Sequence, residues 1–180
     1  GQAVQNVFFP AGSILGFTEK GALWRCNISE ETTVQGLRCL AKSELEFSSS
    51  GRLLMCTLSA ETVMEGIPAG AGSTVFFHEN GVLFSCRPSR PSVIQGFEVR
   101  AGGDVCFFED GRLSAFDPVD NVRANGIPCM GGKRVWLYRE GGLACCTLAD
   151  ETEINGVTFP AETLIVLSEE GEVVHACRDR

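Results

Sequence analysis

Lysine is scarce, with three residues (Lys20, Lys42 and Lys133), histidine scarcer with two (His78 and His175), and acidic side chains outnumber basic ones 23 to 15. The resulting net charge of −8 leaves no basic stripe for a phosphate backbone, so nucleic acid is not an expected partner. No run of 18 or more apolar residues occurs; no membrane-crossing helix is encoded and no membrane insertion is expected. No segment sustains the 3.6-residue apolar period of an amphipathic helix. The P-loop, the nucleophile elbow and a helix-opening GxGxxG are all missing. Nine cysteines are present without a CxxC or a His-bearing zinc spacing, so no metal or cofactor is expected.

What is abundant is glycine, and it is periodic. Gly21, Gly51, Gly81, Gly111, Gly141 and Gly171 lie 30 residues apart, and Gly36, Gly66, Gly96, Gly126 and Gly156 form a second series of the same period. Asn6 fills the remaining place of that second series. The 180 residues therefore divide into six repeats (1–30, 31–60, 61–90, 91–120, 121–150 and 151–180) with no insertion or deletion. Apolar columns keep the register: Phe17, Phe47, Phe77, Phe107, Leu137 and Leu167 before the first glycine series, and Leu23, Leu53, Leu83, Leu113, Leu143 and Val173 after it. Within a repeat, apolar residues fall at alternate positions, as at Val75 and Phe77, which is strand spacing. An apolar share of 44% suffices for a core, and the whole chain reads as one all-β repeat domain.

Three short strands and three turns in each repeat fit two architectures. In a β-solenoid each repeat is one coil, and equivalent columns stack at roughly 4.8 Å. In an antiparallel meander, segments such as Glu79-Asn80-Gly81 and Glu109-Asp110-Gly111 close hairpins through a type I turn and a glycine bulge, and the sheet stays open or closes into a barrel. The turn chemistry favours hairpins; the freedom from insertions favours stacking and tips the expectation towards the solenoid. The amide column Gln5, Gln35, Gln95, Asn125 and Asn155, broken by Glu65, would then stack side chain on side chain or form a solvated face.

Two columns collect cysteine: Cys26, Cys56, Cys86 and Cys146 in one, Cys39 and Cys129 in the other. The same places accept Phe, Ala and Val, so these cysteines read as buried thiols in a core. Disulfides between stacked neighbours suit the bond's dihedral preference poorly.

The fourth repeat departs most, with Phe116, Asp117, Pro118, Val119, Asp120 and Asn121 where other repeats read Cys-Thr-Leu-Ser-Ala-Glu. Pro88 and Pro91 alter the end of the third. Arg87, Arg90, Arg100, Asp117 and Asp120 are accordingly the candidate binding patch, and no catalytic residue is assigned. The stretches FFHENGVLFSC (76–86), FFEDGRLSAF (107–116) and EFSSSGRLLMC (46–56) resemble the aromatic-x-x-Asn-Gly-x-Leu unit of bacterial MORN and YwqK-type β-hairpin repeats, over about ten residues of each repeat. That resemblance implies β-hairpin units and an interaction role, with no catalytic residue carried over.

The expected function is a non-catalytic repeat module of the bacterial envelope or of a secreted protein, extracytoplasmic, binding a protein or polysaccharide. A carrier of an apolar ligand in a barrel lumen and a glycan-acting enzyme using Asp117 and Asp120 are the alternatives. Gly1 reads as the residue left by tag removal, with a signal peptide expected upstream. The nearly uncharged segment Gln2 to Val7 is expected to expose a strand edge that permits edge-to-edge association of copies. Glu169, Glu170, Glu172, Arg178, Asp179 and Arg180 are expected to guard the other edge.

Overall fold

The computed structural model describes residues 1–4 and 7–178. All its regular structure is strand, in two units of three repeats each, Gly1–Ser89 and Arg90–Arg180. The first unit holds β1 (Gln2–Val4), β2 (Val7–Phe9), β3 (Ile14–Phe17), β4 (Leu23–Asn27), β5 (Thr32–Val34), β6 (Leu37–Cys39), β7 (Glu44–Phe47), β8 (Leu53–Thr57), β9 (Thr62–Met64), β10 (Ile67–Ala69), β11 (Thr74–Phe77) and β12 (Leu83–Cys86). The second holds β13 (Ser92–Ile94), β14 (Phe97–Val99), β15 (Val105–Phe107), β16 (Leu113–Phe116), β17 (Val122–Ala124), β18 (Ile127–Cys129), β19 (Val135–Leu137), β20 (Leu143–Thr147), β21 (Thr152–Ile154), β22 (Val157–Phe159), β23 (Thr163–Leu167) and β24 (Val173–Arg178).

Each repeat is thus a short hairpin followed by a long one. The short hairpin turns in two residues, Gln35-Gly36 in the second repeat, with φ of 48° and 86°. Positive φ at both positions is the type I′ geometry that matches strand twist, and only glycine reaches the second position without strain. The long hairpin turns through Thr18–Gly21: Gly21 N–H donates to Thr18 O and Thr18 N–H to Ala22 O, both at 2.8 Å, with Gly21 at φ 80°. The strand register then slips between Gly16 and Phe17, so this is the type I turn with a glycine bulge that the sequence offered as the hairpin reading.

The long hairpins form a meander in the order β3-β4-β7-β8-β11-β12 in the first unit and β15-β16-β19-β20-β23-β24 in the second. All the pairings in these meanders are antiparallel, including those from one repeat to the next, such as β4 with β7 through Cys26↔Leu45. A coil stack would pair equivalent columns directly, Leu15 on Leu45; instead Cys26 lies between them, facing both. The solenoid expectation therefore gives way to the meander. The meander does not close into a barrel, since among the described residues β3 pairs with β4 alone and β24 with β23 alone.

The short hairpins lie over one face of these sheets, tied to them by single bridges such as Cys39↔Leu58 and Cys129↔Leu148. Between the two layers sits the core: Phe9, Leu23, Cys26, Val34, Cys39, Leu45, Cys56, Leu58 and Val75 in the first unit, Val99, Val105, Phe116, Cys129, Val135, Cys146, Leu148 and Ile165 in the second, all essentially inaccessible. The carrier reading depended on a closed barrel, and among the described residues the meander does not close into one.

Candidate binding face

Among the described residues no strand of the same unit covers the other face of the long hairpins, and the bulge decides what that face shows. A register slip places two consecutive residues on the same side. In β4 the sequence Leu23-Trp24-Arg25-Cys26 therefore runs buried, exposed, exposed, buried. The slip recurs in β8 and β12, so that the first unit turns outward Trp24, Leu54 and Phe84, each followed by a second outward residue, Arg25, Met55 and Ser85. Across the strands Arg25 faces Glu46, Met55 faces Phe76, and Phe76 faces Ser85. Trp24, Phe76 and Phe84 remain 42%, 39% and 43% exposed, a share that buried aromatic residues do not keep. Arg25 bonds Glu44 at 3.1 Å and Glu46 at 3.3 Å, and its guanidinium lies 4.7 Å from the Trp24 ring centre. His78, in the turn of the third long hairpin, meets Phe84 edge to face at 5.0 Å.

The corresponding face of the second unit carries one exposed ring, Trp136 (41% exposed), with the Arg134 guanidinium 6.0 Å from its centre, and is otherwise built on charge. Asp117 ends the outward row after β16 and is 7% exposed. Its carboxylate accepts from Arg134 Nε at 2.9 Å, Arg100 Nη2 at 3.2 Å and the Asp104 amide at 3.3 Å, while Arg134 also bonds Asp104. These bonds hold the Arg134 guanidinium above its ordinary pKa, with Asp117 the main cause. Gly103 makes room for the cluster: a Cβ there would fall 2.9 Å from the Asp117 Cβ and 2.8 Å from the Arg100 Cγ. Two carboxylates and two guanidinium groups balance, and both Asp117 oxygens are engaged. The arrangement fastens a turn to the sheet and offers no open nucleophile or base.

Of the five residues selected by sequence, then, Arg100 and Asp117 come together. Arg87 is an exposed residue at the end of the first unit, Arg90 an exposed residue at the start of the second, and Asp120 an exposed loop residue three positions beyond Asp117. Arg134 and Asp104 were missed by the sequence reading; their signal was a second departure in the fourth and fifth repeats, Asp104 and Arg134 in a column read elsewhere as Ile14, Glu44, Thr74 and Leu164. Trp24, Leu54 and Phe84 were also missed, although Leu-Trp, Leu-Leu and Leu-Phe pairs just after a turn glycine break the alternation that the rest of each strand keeps.

The described members of the amide column do not stack on one another; they are exposed, as a solvated face would have them, yet each is tied to backbone. Gln35 Nε2 donates to Gly51 O at 2.8 Å, and its Oε1 accepts from Leu53 N–H at 3.1 Å. Gln95 repeats this with Gly111 O at 2.8 Å and Leu113 N–H at 3.0 Å. Asn125 accepts from Leu143 N–H at 2.8 Å, and Asn155 donates to Gly171 O at 3.2 Å. A bulge leaves backbone groups without ladder partners, and the amide at the tip of the short hairpin supplies them. Gln5 lies outside the described residues.

All nine cysteines are free thiols; Cys26, Cys39, Cys56, Cys86, Cys129 and Cys146 are buried, Cys106 and Cys145 half-buried, and Cys177 exposed. Burial pushes the Cys26 thiol up to about 12. Cys39 with Cys56 and Cys129 with Cys146 share hydrogen bonds, and the second thiol of each pair is held well above its ordinary range by that bond and by burial. Among the described residues no group of three or more His, Cys, Asp or Glu side chains is arranged to hold a metal ion. No protein-family model matches this chain, and no curated protein shows significant similarity to it.

Proposed function

We propose that this chain is a non-catalytic binding module, that the outward face of the first unit's sheet is its binding surface, and that the ligand is a neutral polysaccharide. The observation that carries this reading is the bulge of each long hairpin, which turns a second consecutive side chain outward and makes it Trp24, Leu54 or Phe84 in the first unit. Sugar rings present apolar C–H faces to aromatic rings and hydroxyl groups to polar neighbours. Trp24, Phe76 and Phe84 supply the first kind of contact, and Arg25, Glu46 and Ser85, on the same rows, the second. A net charge of −8 favours a neutral polymer over an acidic one. The Arg25–Glu44–Glu46 cluster amid the rings favours a hydroxyl-rich ligand over the dry centre of a protein interface. Such a ligand suits an extracytoplasmic setting in the bacterial envelope.

Affinity electrophoresis through gels containing neutral or acidic polysaccharides tests the reading. Retardation by a neutral polymer is expected, with affinity reduced at least about tenfold in Trp24→Ala/Phe84→Ala, since each stacked ring is worth about 1 kcal/mol. The double variant should keep its melting temperature, both side chains being outward. Retardation by no polysaccharide, or retardation indifferent to the two rings, would overturn the proposal.

A further inference from the structure

Within each unit, one rule governs every junction between repeats. The second strand of a long hairpin meets the first strand of the next so that residue n faces n+21, n+1 faces n+20 and n+2 faces n+19, counting from the outward residue after the bulge. In the first unit this gives Arg25↔Glu46, Cys26↔Leu45 and Asn27↔Glu44, then Met55↔Phe76, Cys56↔Val75 and Thr57↔Thr74. In the second it gives Ala115↔Trp136 and Phe116↔Val135, then Cys145↔Val166, Cys146↔Ile165 and Thr147↔Leu164. The middle pair is core at every one of these junctions, with no member more than 1% exposed. Flanking backbone bonds repeat as well: Ile28 N–H to Ser43 O, Leu58 N–H to Ser73 O, Leu148 N–H to Thr163 O, and Lys42, Gly72 and Glu162 N–H back to Ile28, Leu58 and Leu148 O.

Applied to β24, the rule requires partners equivalent to Gly16, Leu15 and Ile14, and those residues stand on β3 with one side of the strand unpaired among the described residues. Among the described residues both edges are uncovered. Ile14 is 73% and Phe17 47% exposed, whereas Phe47 and Phe107 in the same column are 4% exposed. Ala176 is exposed where Cys26, Cys56, Phe116 and Cys146 are buried. No charge interrupts β3, so nothing on it resists pairing. The expected edge at Gln2 to Val7 is a different strand: Gln2–Val4 pairs with Val7–Phe9 inside the first short hairpin, and residues 5 and 6 lie outside the described residues. At the far edge Glu169, Glu170 and Glu172 sit in and beside the last turn rather than along β24, Arg178 ends the strand, and Asp179 and Arg180 lie outside the described residues.

We infer that β24 of one copy of this chain pairs antiparallel with β3 of a second copy, with His175↔Gly16, Ala176↔Leu15 and Cys177↔Ile14 in register, joining the copies head to tail. Arg178 N–H would reach Ser13 O and Gly12 N–H would reach Arg178 O, as at the internal junctions. Such an interface uses different surfaces on the two partners, so it propagates until the geometry closes it.

Sedimentation velocity over a concentration series tests this on the chain itself. Species growing beyond dimer are expected. Leu15→Glu and Ala176→Glu should each be monomeric alone while keeping the strand signal of the unaltered chain in circular dichroism, yet mixing the two should give a 1:1 dimer that grows no further, because each retains one intact edge. As a gain of signal independent of those variants, Ile14→Cys should cross-link to Cys177 under mild oxidation into a ladder of multimers that the unaltered chain does not form. A monomer at all concentrations, a mixture that stays monomeric, a Leu15→Glu variant that still dimerises, or an Ile14→Cys chain without the ladder would each overturn the inference.

Discussion

The two units place the same columns in their cores and different chemistry on their open faces. Leu23, Leu53 and Leu83 in the first have Leu113 and Leu143 as counterparts in the second, all buried. The residues after them diverge: Trp24, Leu54 and Phe84 against Ser114, Ala144 and Val174. At the outward position closing the second strand of the hairpin, the first unit has Asn27, Thr57 and Arg87, and the second has Asp117, Thr147 and Cys177. Packing between the short hairpins and the sheet thus constrains one face, while the other is free to vary, with Trp24, Phe76 and Phe84 in one unit and Trp136 beside a fastened ion cluster in the other. A repeat scaffold separates stability from display, and the display face is where function is to be sought.

The largest effect that would sharpen this contrast is Asp117→Ala. It leaves Arg134, which is only 30% exposed, with Asp104 as its one remaining partner of the cluster and removes the Asp117 partner of Arg100, so a loss of about 1–3 kcal/mol is expected in urea unfolding. Thr57→Ala, at the same place in the second repeat, gives up one exposed hydroxyl contact with Thr74 and should cost well under about 1 kcal/mol. Equal costs would mean that the ion cluster contributes nothing particular to the second unit.

A middle-sized effect concerns the amide clamp. Gln35→Ala and Gln95→Ala, one in each unit, should each lose about 1–2 kcal/mol, since two backbone groups at the bulge lose their partner. Glu65 holds the same turn position with φ 50°, but its carboxylate has no side-chain N–H to donate. Glu65→Gln is expected to gain about 1 kcal/mol by completing the clamp on Gly81 and Leu83, measured by the same unfolding midpoint. The smallest effect comes from Lys42 and Glu162, which sit at φ 60° and 64° where other repeats have Gly12, Gly72, Gly102 and Gly132. Lys42→Gly and Glu162→Gly should each stabilise their unit by up to about 1 kcal/mol.

Much of the fold was legible because glycine at φ > 0 leaves a mark that no other residue makes as well. The 30-residue period and the bulged turn at Asn80-Gly81 follow from it, and the strand character of the Phe and Leu columns from their alternate spacing. The choice of solenoid over meander failed on one inference, that exposed hairpin loops tolerate insertions whereas these have none. The clamp explains the discrepancy. Gln35 and Gln95 bond the backbone on either side of their bulges, so the loop length is fixed by a side chain from another hairpin, which no local turn rule reveals. The candidate face was less legible, since Trp24 and Phe84 look like core aromatics until the bulge is known to reverse their side. Asp117 stood out by its departure from the repeat, but its partners Asp104 and Arg134 lie one strand away on either side and are linked to it only through strand register.

The clamps also bear on how the chain reaches its fold. Gln35 and Gln95 close loops of 16 to 18 residues within one repeat, and each meander junction joins residues no more than 21 apart. A sheet protein usually waits for strands distant in the chain to meet, which makes its folding slow. Here every register can be set by neighbours in sequence, so folding can begin in any repeat and spread outward one hairpin at a time. The same locality makes the array extensible: a duplicated 30-residue segment would find both junctions already written in its own sequence.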